Sequence, residues 1–238
     1  KVRSYNSAFA FLSVGADVRL PPGQGPVVFR VQGQICHRAG ELLPSEGATP
    51  SYAQLYVYDP AEALERRAEA NPDADRAALR TLQELLTYTN PYAEKYYHLQ
   101  EVLENAARDA RAEGTALPEL SIRFANPRHA DARTYNRPTT AEVAVVFVSE
   151  DGMPPSKRDI VQHSRDGALR HVSEVNCHLD PMSYPLLYWT PDAFGFGWHP
   201  GMTHDGAHQT ASRTRLTAEQ YYSYYLMRRD DNPLPHGA

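Results

Sequence analysis

The segment 61–112 constrains the fold most, because its hydrophobic residues recur with a helical period in a chain whose other patterns are strand-like. The first run spaces its apolar residues by three and four behind Asp73 or Asp75 as a helix cap: Ala78, Leu79, Leu82, Leu85 and Leu86. A second run, "TNPYAEKYYHLQEVLENAARDAR", has Pro91 in its first turn and predicts another helix. Since only "TN" separates the runs, the sequence predicts a helical hairpin over about 61–112.

Strand-like segments lie on both sides of this hairpin. They are "PVVFRVQGQICH" (broken or bulged at Gly33), "YAQLYVYD" (52–59), "ELSIRFA" (119–125) and "AEVAVVFVSE" (141–150), the last with the continuous apolar character of a strand buried on both faces. The segments "KRDIVQHS" and "ALRHVSEV" flank Asp166-Gly167, which predicts a β-hairpin.

The C-terminal region has its own helix signal. Thr217 and Gln220 form a capping box, which predicts a helix over about 217–229. Neither an internal repeat nor a shift in composition marks a domain boundary. We therefore expect one α+β module over 1–238, with a mixed, mostly antiparallel sheet, the helical hairpin and this C-terminal helix.

Charge and cysteine usage limit the function classes. The formal net charge is −5, so any nucleic-acid binding requires a local basic patch. Two cysteines cannot build a disulfide framework, which favours a reducing intracellular compartment. The chain has no run of about 18 apolar residues, and its first segment, "KVRSYNSAFAFLSVGADV", does not have the pattern of a signal peptide. No membrane association is expected.

Histidine and cysteine positions give only weak metal signals. His199, His204 and His208 lie in "WHPGMTHDGAH", where glycines argue against the helix that a zincin pair requires. The dipeptides Cys36-His37 and Cys177-His178 place adjacent side chains on opposite faces of a strand, which favours buried structural cysteines. No metal, cofactor or catalytic residue is predicted.

Basic residues cluster in two segments, "RFANPRHADARTYNRP" and "SKRD…HSRDGALRH", and in the first of them the arginines are interleaved with His129 and Tyr135. Arginine beside aromatic rings suits the backbone and the bases of single-stranded nucleic acid, whereas ordinary solvated loops are the competing interpretation. The predicted DNA contacts are Arg123, Arg128, Arg133, Tyr135, Arg137, Lys157, Arg158, Arg165 and Arg170.

Several stretches, in order, resemble the N-terminal region of Helitron transposases, the eukaryotic rolling-circle DNA transposons. The most specific is "F-R-x-x-G-Q-x-x-H-R-x-G-x-L-L-P-x-E-G" followed by "A-Q-L-Y-x-Y-D"; "SYNSAFAFLSVGADV", "YNRPTTAEVAVVFV", "RDIV", "SYPLLYW" and "YYSYYLMRR" accompany it. The resemblance covers most of the chain and implies a nuclear protein whose full form also contains a zinc-binding segment, an HUH-type nuclease and a helicase. The family's "GEDGYH" loop is replaced here by "TPDAFGFGWH".

The family nuclease uses a His-hydrophobic-His metal site and two tyrosines. This chain contains no His-x-His, and the Y-x-x-x-Y spacing of Tyr221 and Tyr225 fits one face of the C-terminal helix, in an apolar stripe with Leu216, Tyr222, Leu226 and Met227. The expectation is therefore a non-catalytic module that contacts DNA, preferably single-stranded, beside the nuclease and helicase domains. The alternatives are a docking or dimerisation module without DNA contact and, on the His199–His208 loop, a metal-dependent nuclease.

Overall fold

Helices and short antiparallel strands form the described part of the chain, which confirms the predicted α+β class. The computed structural model describes residues 2–19, 30–45, 47–116, 120–124, 145–148, 160–163, 170–189, 197–198 and 215–227. The helices there are α1 (Val2–Phe9), α2 (Pro60–Ala70), α3 (Arg76–Thr89), α4 (Pro91–Glu113), α5 (Leu179–Ser183) and α6 (Ala218–Leu226), together with a 3₁₀ helix (Tyr52–Tyr56). The strands are β1 (Ser13–Arg19), β2 (Arg30–Ala39), β3 (Leu120–Phe124), β4 (Val145–Val148), β5 (Ile160–His163) and β6 (Arg170–Val172).

The described strands pair in two three-stranded sheets, ordered β1-β2-β6 and β4-β3-β5. All of these pairings are antiparallel, and a register shift between Gly15 and Asp17 marks a bulge in β1. The burial of β3 alternates along its length, so Leu120, Ile122 and Phe124 face the core. Within these sheets β4 pairs with β3 alone. The predicted burial of both faces of this strand lies outside what the structure describes.

The helical region contains three helices where the sequence predicted two. Pro60 starts α2, whose cap Asp59 accepts a hydrogen bond from the Ala61 amide at 2.8 Å. Asp75 caps α3 through the Ala78 amide at 2.8 Å, which confirms one of the two predicted cap positions. The α3–α4 boundary also lies where the "TN" spacer predicted it. The additional helix was missed because the segment 61–70 has few large apolar residues to show a period.

The cap of α4 is the side chain of Asn90, which accepts from the Tyr92 amide at 3.0 Å and the Ala93 amide at 3.1 Å. Pro91 then occupies the first turn. Proline has no backbone N–H, but the N–H groups of a first turn have no helical partner, so no helical hydrogen bond is lost. At the other end, Gly114 has a φ of 68°, the left-handed conformation that commonly terminates helices.

Two local sequence interpretations were wrong. The segment 52–59 was expected to be a strand, but its first part forms the 3₁₀ helix and α2 follows directly. The β-hairpin predicted around Asp166-Gly167 was also wrong. Its two strands do not pair with each other, because β5 pairs with β3 and β6 pairs with β2. Alternating aromatic residues and a turn dipeptide are local signals, whereas burial and sheet partners are decided by the whole fold.

Aromatic rings from several elements form the centre of the main core. Phe11 stacks on Tyr56 and on Tyr96, with ring centroids 4.4 Å and 5.3 Å apart. Phe124 contributes from β3, with its centroid 5.8 Å from that of Tyr96. Rings at these separations attract beyond the area they bury, and here they join the segment between α1 and β1, the 3₁₀ helix, α4 and β3.

The C-terminal helix begins with the predicted capping box, in which the Thr217 hydroxyl and the Gln220 side chain bond reciprocally to backbone amides. Its predicted apolar stripe is only partly correct. Tyr221 is 4% exposed, but Leu226 and Met227 are 77% and 60% exposed. The helix ends at Leu226, so Met227 leaves the face that the helical period had assigned to it.

Candidate functional site

A cleft of about 380 Å³ lies between the end of β2, the following loop and the 3₁₀ helix. Apart from Phe11, Ser13 and Gln162, every residue that lines it falls between Arg38 and Gln54. This is the part of the sequence that carries the long motif "H-R-x-G-x-L-L-P-x-E-G … A-Q-L-Y". The motif therefore surrounds a concavity and does not only form core.

Gln162 of β5 anchors the base of the cleft. Its side-chain amide donates to the Gly40 carbonyl at 3.2 Å, and its side-chain oxygen accepts from the Tyr96 hydroxyl. Gln162 is 1% exposed and Tyr96 is fully buried. The bridge holds the loop after β2 against β5 and α4, so the cleft wall rests on a rigid support.

Arg38 is the positive group of the cleft. It lies at the end of β2 opposite Ser13, whose hydroxyl donates to the Arg38 carbonyl at 3.2 Å. Its side chain is exposed and forms no ion pair with a described residue. Glu41 also lines the cleft and accepts from the Ser45 hydroxyl at 3.5 Å. An unpaired guanidinium and several hydroxyls can together hold a phosphate or another planar anion.

Tyr52 lines the cleft with an unusual backbone. Its φ is 53°, and no other non-glycine residue in the described ranges has a positive φ. A bulky residue in this left-handed region is destabilised by about 1–2 kcal/mol, because its Cβ comes too close to the backbone. The turn is fixed by Gln54, whose side-chain oxygen accepts from the Ser51 amide at 2.9 Å. The fold thus keeps a half-buried aromatic ring at the cleft on a strained backbone.

A second polar cluster joins α5 to α6. Asp180 accepts a hydrogen bond from the Tyr222 hydroxyl at 2.8 Å and another from the Trp198 backbone. Burial raises the pKa of Asp180, although these bonds and the nearby His37 partly oppose it. Burial and the Asp180 charge raise the pKa of Tyr222. This cluster fastens the C-terminal helix to the rest of the fold.

Arg67 of α2 is fully buried without a described carboxylate. Its guanidinium lies 4.9 Å from the Phe9 ring centroid and 4.7 Å from that of Tyr56. It donates to the Ala8 carbonyl at 3.1 Å and to the Gln83 side-chain oxygen at 2.6 Å. Ala8 lies in the last turn of α1, where carbonyls lack helical partners and a cation is favoured. Two rings and a helix end thus replace a counterion, and the group is structural.

The Cys177-His178 dipeptide is buried, as its structural interpretation expected. His178 Nδ1 lies 2.8 Å from the Tyr92 hydroxyl, and the His178 amide donates to the Asn176 side chain at 2.8 Å. Burial raises the pKa of Tyr92 well above its usual value. In the described part of the chain no three metal-ligating side chains come together.

Most of the predicted DNA contacts lie outside the described residues, namely Arg128, Arg133, Tyr135, Arg137, Lys157, Arg158 and Arg165. So do His199, His204 and His208. The two that are described fall in different sheets: Arg123 is half-buried in β3, and Arg170 begins β6 opposite Ala39. The structure does not bring these two arginines into one sheet.

The cleft residues Arg38 and Tyr52 were missed as site residues from sequence. The available signal for Arg38 was the polar part of the long motif, which continues beyond the strand over Arg30–Ala39, whereas no sequence signal indicated Tyr52. Comparisons with protein-family models, with curated proteins and with solved structures find no match to this chain. Among the described helices, none has the length and apolar character needed to cross a membrane.

Proposed function

We propose that this chain is a non-catalytic module of a Helitron-type rolling-circle transposase that holds single-stranded transposon DNA beside the nuclease and helicase domains, in the nucleus. The observation that carries the proposal is the position of the most specific motif. Five of its specified positions line the cleft, and Tyr52, directly before its second part, lines the cleft beside them; the five are Arg38, Gly40, Pro44, Ala53 and Gln54. Because cores need apolar residues and not a fixed polar sequence, this placement favours a binding role.

The chemistry of the cleft suits a DNA strand. The Thr49 hydroxyl and the Arg38 guanidinium supply donors of the kind that contact phosphate and sugar. The net charge of −5 requires such contacts to be local. The sequence also predicts phosphate contacts from Arg128 and Arg158, which lie outside the described residues. Strand cleavage and unwinding would come from the other domains of the parent protein.

Fluorescence anisotropy with labelled single-stranded and double-stranded oligonucleotides tests the proposal. At about 50 mM salt we expect binding to the single strand, and at about 200 mM a steep loss of affinity, since released counterions set the salt dependence. A scrambled-sequence oligonucleotide serves as the control, because a backbone-tracking module should bind it equally. Absence of binding to either form at the lower salt concentration would refute the DNA-binding role.

Docking or dimerisation without direct DNA contact is the second candidate function. Three exposed apolar side chains at the end of α6 favour it: Tyr224, Leu226 and Met227. Solvent-exposed apolar groups that cluster are typical of protein contact sites. If the role is dimerisation, sedimentation of the wild-type chain should show a dimer that a Leu226→Glu, Met227→Glu variant abolishes. Tyr88→Glu, at an 86% exposed tyrosine of α3, is the matched control.

A further inference from the structure

We infer that the cleft holds one unstacked nucleotide of the bound strand, with the Tyr52 ring stacked on the base and the Arg38 guanidinium bound to a phosphate. The inference rests on the proposed function and specifies the ligand of the same site. It also makes Tyr52 and Arg38 the residues whose substitution should matter most.

The backbone of Tyr52 is the first argument. Glycine or asparagine would occupy a φ of 53° with less strain, and a tyrosine there costs stability. Strain of this kind persists where the surrounding structure imposes it, and it concentrates at binding sites. The Tyr52 ring is half-buried at the edge of the cleft, and its hydroxyl has no hydrogen-bond partner among the described residues. A half-buried aromatic ring that lines a cleft can stack with a base of any sequence.

The charges of the cleft are the second argument. Arg38 and Glu41 are its two charged residues, and the Glu41 carboxylate is engaged by the Ser45 hydroxyl. Arg38 has no carboxylate partner in the described ranges, so its guanidinium is available to a phosphate in the two-point geometry that arginine favours. Glu41 would repel a second phosphate nearby. This limits the cleft to one phosphate position.

The size of the cleft is the third argument. Its volume of about 380 Å³ lies at the small end of the range of about 300–1,000 Å³ for pockets that enclose a small organic ligand. Such a cleft has room for one base with its sugar and excludes a stacked duplex. The buried Gln162 bridge keeps its base closed, so the nucleotide must enter from the solvent side.

Two substitutions at each residue test the inference. Tyr52→Gly should keep or raise the melting temperature, because it relieves the backbone, while it weakens single-strand binding about 5- to 150-fold through the lost stacking. Tyr52→Phe keeps the ring and should bind as the wild type does. Arg38→Gln should lower the slope of log affinity against log salt by about 0.7, whereas Arg38→Lys should retain the slope.

Matched controls lie on α3. Tyr88→Gly and Arg80→Gln remove an exposed tyrosine and an exposed arginine that do not line the cleft, and neither should change DNA affinity. If Tyr52→Gly fails to fold, Tyr52→Asn also tolerates the left-handed backbone and takes its place. Photocrosslinking of an iododeoxyuridine oligonucleotide to the wild-type chain, read by mass spectrometry, tests the same contact without any substitution.

The outcomes separate the two proposals. Crosslinks at Tyr52 together with the expected affinity and salt changes support the nucleotide site. Wild-type affinity in Tyr52→Gly and Arg38→Gln, or crosslinks only elsewhere, overturns the cleft assignment and leaves the DNA-binding module standing. If the wild-type chain binds no single strand at low salt, both proposals fail.

Discussion

Replacement of Arg67 should be among the most damaging single changes in the protein, although no carboxylate in the described part of the chain pairs with it. The side chain is fully buried between the Phe9 and Tyr56 rings and donates to Ala8 and Gln83. Arg67→Ala removes both donors and leaves two buried acceptors, at about 1–3 kcal/mol each. It also removes two cation–π contacts of about 1–2 kcal/mol. Part of this loss is offset, because the variant no longer has to bury a charge.

The sum of these effects predicts a loss of about 3–5 kcal/mol in the free energy of unfolding. With an m-value of about 2–3 kcal/mol/M in urea, the midpoint should fall by roughly 1–2 M. Urea denaturation followed by circular dichroism measures this. Arg66→Ala is the matched control, because Arg66 is a neighbour on α2 whose ion pair with Glu62 is exposed, so its removal should leave the midpoint nearly unchanged.

A double-mutant cycle isolates the contact between Arg67 and Gln83. Arg67→Met and Gln83→Leu should each be destabilising, and the double variant should lose less than their sum by about 1–3 kcal/mol, because it leaves no unpaired group between them. Additivity within about 0.5 kcal/mol, or an Arg67→Ala loss under about 1 kcal/mol, would refute the network.

Arg67→Lys tests how burial acts on the positive charge at this position. Burial lowers the pKa of the native guanidinium, and it should lower that of a lysine more effectively. Between the lowered pKa of the folded lysine and about pH 10.4 the unfolded chain would bind more protons than the folded one, so the free energy of unfolding of this variant should rise with pH across that interval. The wild type should show no such rise from this position, since an arginine stays protonated.

The remaining predictions concern the cluster around Asp180. Burial raises the pKa of this carboxyl, so its contribution to the stability of the fold is complete below about pH 3.8 and is lost as the pH rises through the pKa of the folded state. Thermal melts from about pH 4 to about pH 7 should therefore show a melting temperature that falls with pH. Asp180→Asn should remove this dependence. Tyr222→Phe removes the bond to Asp180, so it should destabilise the fold by about 1 kcal/mol and raise the carboxyl pKa further, as an NMR titration would record; an unchanged pKa would contradict the contact. Gly197→Ala should cost about 1–3 kcal/mol by urea denaturation, because a Cβ there would lie 2.7 Å from the Asp180 carboxylate and 2.8 Å from its Cβ. Gly114→Ala, with φ 68° and open space around it, should cost only about 1 kcal/mol and is the comparison.

The sequence predicted those elements whose signals are local. The Asn90-Pro91 boundary, the Asp75 cap and the Thr217–Gln220 box each depend on a few adjacent side chains, and each appears as expected. The strand at Leu120–Phe124 follows from its alternation. At these positions intrinsic propensity, hydrophobic pattern and capping all predict the same element, and the tertiary contacts are compatible with it.

The errors arise where long-range contacts decide. The segment 52–59 has the aromatic alternation of a strand, yet Tyr56 turns inward as part of a helix to bond the Phe9 carbonyl at 2.7 Å. The turn dipeptide Asp166-Gly167 could not reveal that β5 and β6 belong to different sheets. The cleft could not be predicted for the same reason, because Gln162 and Gly40 meet across 122 positions of sequence.

The Gln162 bridge also fixes the alignment of a short strand. In β5, of four residues, a slip by one position along β3 would present Val161 or His163 where Gln162 now stands. The valine could not satisfy the Tyr96 hydroxyl and the Gly40 carbonyl together, and the histidine has the wrong reach for both. A misaligned intermediate would therefore retain two unsatisfied groups inside the core, and the chain would have to release β5 and pair it again. The hydrogen bonds of Gln162 therefore select one alignment of β5 on β3, which the four residues of this strand alone would specify only weakly.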